Sequence, residues 1–317
     1  MLAKPGIKLA LLGVLCLVAV YAFMALEAYG QWEYVLPFRA GKLAVMVVVA
    51  YCVAVSSVIF QTITQNNILS PSVMGFDSLY ILIQALGILL YGQAGMFGEN
   101  ELIGFVANTL IMSIAATALF RWVAPKNAQG IHMLLLMGIV FSLLFKSLTG
   151  LVMRMINPND FMLLQGLMFA NFNSLHAKLI PLALVLIAAG TLIFWICRWR
   201  YDVVALGRET AIGLGVNYSR TVIVSLAGVS ILVSVSTALV GPVTFLGVLV
   251  SNLAYWVMKD YRHRLTVPAA FFCAVLCLVG GQTLLEHVFA LRLPISAVIE
   301  FSGGILFIIL VMKRLKK

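Results

Sequence analysis

The sequence predicts an all-α, polytopic integral membrane protein with about ten transmembrane helices, and three observations carry that prediction. Of the 317 residues, 63% are hydrophobic and only 10% are charged, whereas a soluble domain carries about 25% charged residues. The apolar residues gather into ten runs, each near the ~20 residues that a helix needs to cross a bilayer. The lysines and arginines between those runs are distributed with a strong bias to one side.

In chain order the runs cover residues 7–28, 43–63, 73–91, 102–123, 133–153, 179–197, 221–240, 243–258, 267–289 and 295–312. The first is too long for the core of a signal peptide and has no small-residue cleavage site behind it, so it reads as a retained first helix. Ten crossings put both termini on one side. With the N-terminus inside, fifteen of the 21 Lys and Arg residues are cytoplasmic and six are external, which is the positive-inside pattern and gives an N-in/C-in chain. The net charge of +10 is thereby accounted for by cytoplasmic loops, with no nucleic acid implied. The whole of 1–317 reads as a single transmembrane domain.

Glycine and proline mark two breaks. Ser70-Pro71 precedes the third run with Gly75 behind it, and Gly241-Pro242 precedes the eighth with Gly247 behind it. The breaks follow the second and seventh runs on opposite sides of the membrane, as an inverted repeat of spans 2–5 and 7–10 would place them. Between the fifth and sixth runs lies an external, gate-like segment, about 154–178. Its turn signal Asn157-Pro158-Asn159-Asp160 is followed by an apolar stretch too short to span. On the other side, the loop 198–220 is the longest polar interruption of the second half, and its glycines predict two short helical turns. Taken alone, this loop fits either a solvated connection or a surface that docks a partner.

Ionisable residues are scarce within the runs. Glu300, in the tenth, is the main exception and is a candidate for the substrate path, because an acid inside a membrane is costly. The five cysteines form no CxxC pair, and the four histidines are scattered at run ends, so neither a disulfide nor a metal site is expected. No GxxxxGK[ST] phosphate loop is present. A ten-helix transporter subunit with no nucleotide site of its own and a large cytoplasmic loop calls for a separate ATPase.

Four motifs in order then resemble a known family. Arg39-Ala40-Gly41-Lys42 stands before the second run. Gln61 is followed by Asn66-Asn67-Ile68-Leu69-Ser70-Pro71 and Met74-Gly75. Leu206-Gly207, Ala211 and Leu214-Gly215 lie in the cytoplasmic loop, and Gly241-Pro242-Val243-Thr244-Phe245-Leu246-Gly247-Val248 opens the eighth run. Together they resemble the permease subunits of ABC importers for ferric siderophores, haem and cobalamin, the FecCD-like or type II importer family.

The resemblance implies an inner-membrane subunit that is not itself an enzyme. It binds no cofactor; ATP and magnesium belong to two copies of a partner ATPase. The ATPase-coupling residues are expected at Leu206, Gly207, Arg208, Glu209, Ala211, Leu214 and Gly215. An extracytoplasmic substrate-binding protein is expected to dock on Arg39, Lys42 and Arg292, and a second permease, a different chain or else a second copy of this one, to complete the path. Residues expected on the path or its gate are Gln61, Asn67, Gln165, Gly166, Asn171 and Glu300.

Departures from the family pattern are Ser251-Asn252 for Pro-His, Gly281 and Leu285 for an Asp and an Arg, Gly303-Gly304-Ile305 for Gly-Ala-Pro, and Leu163 for a tryptophan. They are similar to the branch that carries catecholate-type siderophores.

Overall fold

A computed structural model describes residues 5–26, 32–92, 100–123, 130–172, 176–287 and 295–315. Among them the chain is helical throughout, with no strand. The helices are α1 (Pro5–Ala25), α2 (Trp32–Thr64), α3 (Phe76–Tyr91), α4 (Glu101–Val123), α5 (Gly130–Met153) and α6 (Pro158–Leu167). They continue with α7 (Ile180–Val204), α8 (Arg208–Gly213), α9 (Tyr218–Val240), α10 (Leu246–Met258), α11 (His263–His287) and α12 (Ile295–Leu315). Seven of these, α1, α2, α4, α5, α7, α9 and α11, are long and apolar enough to cross a membrane. Three further apolar stretches are shorter: α3, α10 and Ile295–Ile305 within α12. Each predicted apolar run corresponds to one of these ten helices.

Two helices form the centre. Burial covers 78% of the apolar window of α2 and 72% of that of α9, against 17% for α1 and 22% for α5. The central pair packs together, with α7, α10 and α11 against α2 and with α4 and α7 against α9. Lipid tails are as apolar as leucine, so close backbone approach decides this packing, and small residues allow it. A methyl group on Gly190 of α7 would meet Leu232 of α9 at 3.0 Å, and one on Gly228 of α9 would meet Phe194 of α7 at 3.0 Å. Two buried hydroxyls of α9 turn back on their own helix: Ser225 donates to Thr221 O at 2.7 Å and Ser230 to Leu226 O at 2.8 Å.

Three boundaries differ from the sequence expectation. The second run grows into the 33-residue α2, about 50 Å long at 1.5 Å per residue. Its outer turns are held because Arg39 caps α1 and Lys42 is paired, as described below. The sixth run continues through Arg198 to Val204 as regular helix, since Asp202 finds a partner in His263. The two short turns expected in the cytoplasmic loop are instead one six-residue helix, α8.

Candidate functional site

The short helix α8 is held between two glycines whose backbones other residues rarely adopt. Gly207, before it, has φ 108 and ψ 159, a region open essentially to glycine alone. Gly215, after it, has φ 82. Gly215 N donates to Ile212 O at 2.9 Å and Val216 N to Ala211 O at 3.0 Å, the paired bonds of a Schellman stop. The loop is tied inward as well. Gln65 donates to Val204 O at 3.3 Å, and the Tyr218 hydroxyl donates to Ile63 O at 3.4 Å.

Ala211 is fully buried, while Leu206 is 63% exposed, Leu214 62% and Ile212 50%. Arg208 and Glu209 flank this apolar trio. Large apolar residues held out together on a short helix fixed at both ends have the character of an interaction surface. The structure thus brings all seven predicted coupling residues onto or beside one short element.

The two breaks meet inside the helical bundle. After α2 the chain turns back along that helix. The Asn67 carbonyl accepts from Gln61 Nε2 at 2.9 Å and from Asn252 Nδ2 at 2.7 Å. Ser70 Oγ donates to Thr244 O at 3.3 Å, joining one break to the other. Thr244 Oγ1 donates to Asp77 Oδ2 at 2.7 Å. Gly75, with φ 106, lets the chain enter α3 against the Ser142 backbone of α5. A methyl on Gly247 would strike Ser57 Oγ of α2. The short helices α3 and α10 therefore both begin within the bundle and run outward to opposite faces, the arrangement of broken helices found around transporter pathways.

Asp77 is buried, 6% exposed, and its Oδ1 has no hydrogen-bond partner among the described residues. Glu300 and Lys146 lie within its electrostatic range. The expectation that Glu300 is the main intramembrane acid is therefore corrected: Asp77, in the third run, is the more deeply enclosed carboxyl. It sits between Phe76 and Ser78 in an otherwise apolar stretch, and that interruption was the signal available in the sequence. Thr244 was hidden inside a motif valued for its glycine and proline. Asn252 had appeared only as a departure from the family pattern, yet it supplies the bond that holds the first break.

The remaining path candidates lie elsewhere. Gln165 and Gly166 are exposed on α6, and a methyl on Gly166 would meet open space. Asn171 N donates to Val240 O at 2.8 Å, so the end of the external segment packs on the end of α9. Gly241, with φ 94, accepts that contact: a methyl there would meet Phe169 O at 3.2 Å. Gln61 and Asn67 are thus joined to each other and to the breaks, while Gln165, Gly166 and Asn171 lie apart from them on and beyond α6.

The basic residues expected to dock a partner are engaged within the chain. Arg39 Nη1 donates to Phe23 O at 2.8 Å and Leu26 O at 2.6 Å, capping the carbonyl end of α1. Lys42 is only 7% exposed, and its ammonium lies 3.2 Å from Glu286 Oε1. It also lies over the Phe38 ring at 4.6 Å. Arg39 keeps part of its surface in solvent; Lys42 serves the α2–α11 contact. Arg292 lies outside the described residues. Among the described residues no group of three His, Cys, Asp or Glu side chains could hold a metal ion.

Comparison with known proteins agrees with this architecture. Residues 8–313 match the model of the FecCD transport family. The chain is 42% identical over 313 residues to the petrobactin import system permease protein YclO of Bacillus subtilis (strain 168), covering 99% of each chain. It is 31% identical over 276 residues to the petrobactin import system permease protein FatC of Bacillus anthracis, covering 87% of this chain and 78% of that one. Its fold superposes on a metal-chelate type ABC transporter solved in an inward-facing conformation, with a TM-score of 0.85 at 18% identity, over 98% of this chain and all of the other. With a family match over nearly its whole length and broken helices meeting inside the bundle, this chain belongs to the FecCD transport family.

Proposed function

We propose that this chain is the transmembrane permease subunit of an ATP-driven ABC importer that carries a ferric siderophore of the catecholate type across the plasma (inner) membrane. It acts as a single transmembrane permease domain, and hydrolysis takes place on two copies of a separate ATPase that hold ATP and magnesium. A second, different permease completes the path, and an extracytoplasmic binding protein delivers the chelate. The observation that carries this reading is α8, an exposed apolar knob fixed by two glycines with positive φ in a chain of this family.

The proposed cycle follows from the contacts. The ATPase moves α8, which is tied through Val204 and Gln65 to the end of α2 and so to the first break. The two breaks are joined by Ser70, Thr244 and Asp77, so displacement of one is passed to the other. A change of ATPase state thereby biases the bundle between outward- and inward-facing arrangements. On the outer side, Arg39 marks the α1–α2 corner as the docking region, and the 154–178 segment, with Gln165, Gly166 and Asn171, is the gate.

Cargo is tested by competition for radio-iron uptake in vesicles that hold the whole importer. Unlabelled ferric petrobactin and simple ferric catecholates are expected to compete, while ferric hydroxamates, haem and cobalamin are not. Stronger competition by a hydroxamate, haem or cobalamin would overturn the catecholate assignment.

A further inference from the structure

A cleft of about 530 Å³ opens between α2, α7 and α11. Its walls are aromatic and aliphatic, with Tyr51, Trp195, Trp199 and Val267 among them, and Arg198 and Arg264 stand at its mouth. Both arginines are exposed. The Arg198 guanidinium lies 4.2 Å from the Trp195 ring centre and 5.1 Å from that of Trp199. The one acid of the lining, Asp202, is already engaged: its Oδ1 lies 2.6 Å from His263 Nδ1 and accepts from His263 N at 3.1 Å. Tyr51 and Thr191, also in the lining, are hydrogen-bonded to each other at 3.0 Å.

The dimensions and charges select the occupant. Along α7 the cleft runs from Asp202 to Thr191, about 16 Å of helix at 1.5 Å per residue. One leaflet of a ~30 Å hydrocarbon core is about as deep. In the topology proposed above, Arg198 and Arg264 lie at the cytoplasmic edge, where the inner leaflet is anionic and basic pockets between helices hold acidic headgroups. Two arginines beside an apolar cleft of one leaflet's depth match a molecule with an anionic head and long apolar tails. We propose that this cleft binds one anionic phospholipid of the cytoplasmic leaflet. Its phosphate lies between Arg198 and Arg264, and an acyl chain lies along Trp195 and Val267 towards Tyr51.

Trp195 and Trp199 make the site its own reporter. The full-length chain is placed in vesicles containing either bromine-labelled phosphatidylglycerol or phosphatidylcholine with the same brominated chains. The quenching retained by a W195F/W199F variant is subtracted. The expected result is a preference for phosphatidylglycerol of roughly thirtyfold, as two basic residues near the surface provide. R198Q/R264Q is expected to lose that preference and R198K/R264K to keep most of it. Equal quenching of the wild-type chain by the two lipids would overturn the proposal, whatever the variants do. So would a preference that survives R198Q/R264Q in inserted chain. Displacement by millimolar glycerol phosphate would reassign the mouth to free phosphate and overturn it equally.

Discussion

Replacing Leu206 and Leu214 together by aspartate is expected to abolish uptake while the chain remains inserted and folded. Both side chains are more than 60% exposed, so neither supports the core and stability should change little. Exposed apolar anchors at the centre of an interface each contribute about 2 kcal/mol or more to binding. Loss of two corresponds to a fall in ATPase affinity on the order of a hundredfold or greater. Gly207→Pro attacks the same element through its backbone. Proline holds φ near −65° and has no N–H, whereas Gly207 sits at φ 108 and its N–H donates to Val204 O at 3.1 Å. The measurement is radio-iron uptake beside recovery of the ATPase with the tagged chain. Normal uptake by an inserted L206D/L214D chain would remove α8 from the coupling path.

The second large effect is expected at the junction of the breaks. Thr244→Val keeps the shape of the side chain but takes away the hydroxyl that meets Asp77 Oδ2 at 2.7 Å. A hydrogen bond to a charged group contributes about 1.5–3 kcal/mol, and leaving one partner buried alone adds a penalty. Uptake should fall tenfold or more, as an order of magnitude, in both Thr244→Val and Asp77→Ala, and Thr244→Ser should retain most of it. Recovery of the ATPase should be unchanged in all three, which separates this defect from loss of α8. Wild-type uptake in Thr244→Val would show that the two breaks need no such link.

The parts of the molecule legible in the sequence are those fixed by chain-local physics. Hydrophobic run length located every long helix, because a bilayer imposes the same requirement on each. Gly207 and Gly215 marked the limits of α8, because only glycine takes those backbones readily. Gly75 and Gly241 marked the breaks for the same reason.

What was hidden depends on partners distant in sequence. Asn67 is joined to Asn252, Asp77 to Thr244 and Lys42 to Glu286, and no periodicity reports such pairs. Lys42 shows the cost of reading charge without its partner. Before the second run it looks like a surface cation, yet Glu286 at the far end of the chain encloses it. The paired loops were matched by glycine and proline content alone; that they touch inside the bundle follows from how α2 and α9 pack.

The most direct test reconstitutes this chain with its co-purified ATPase and second permease in vesicles, and follows entry of the ferric siderophore delivered by the binding protein. Uptake is expected only when ATP and magnesium are supplied on the ATPase side. It should stop with a non-hydrolysable nucleotide and be indifferent to collapse of proton and sodium gradients. Uptake that continues without ATP and disappears with the ion gradient would contradict an ATP-driven permease and would make the chain an ion-coupled carrier.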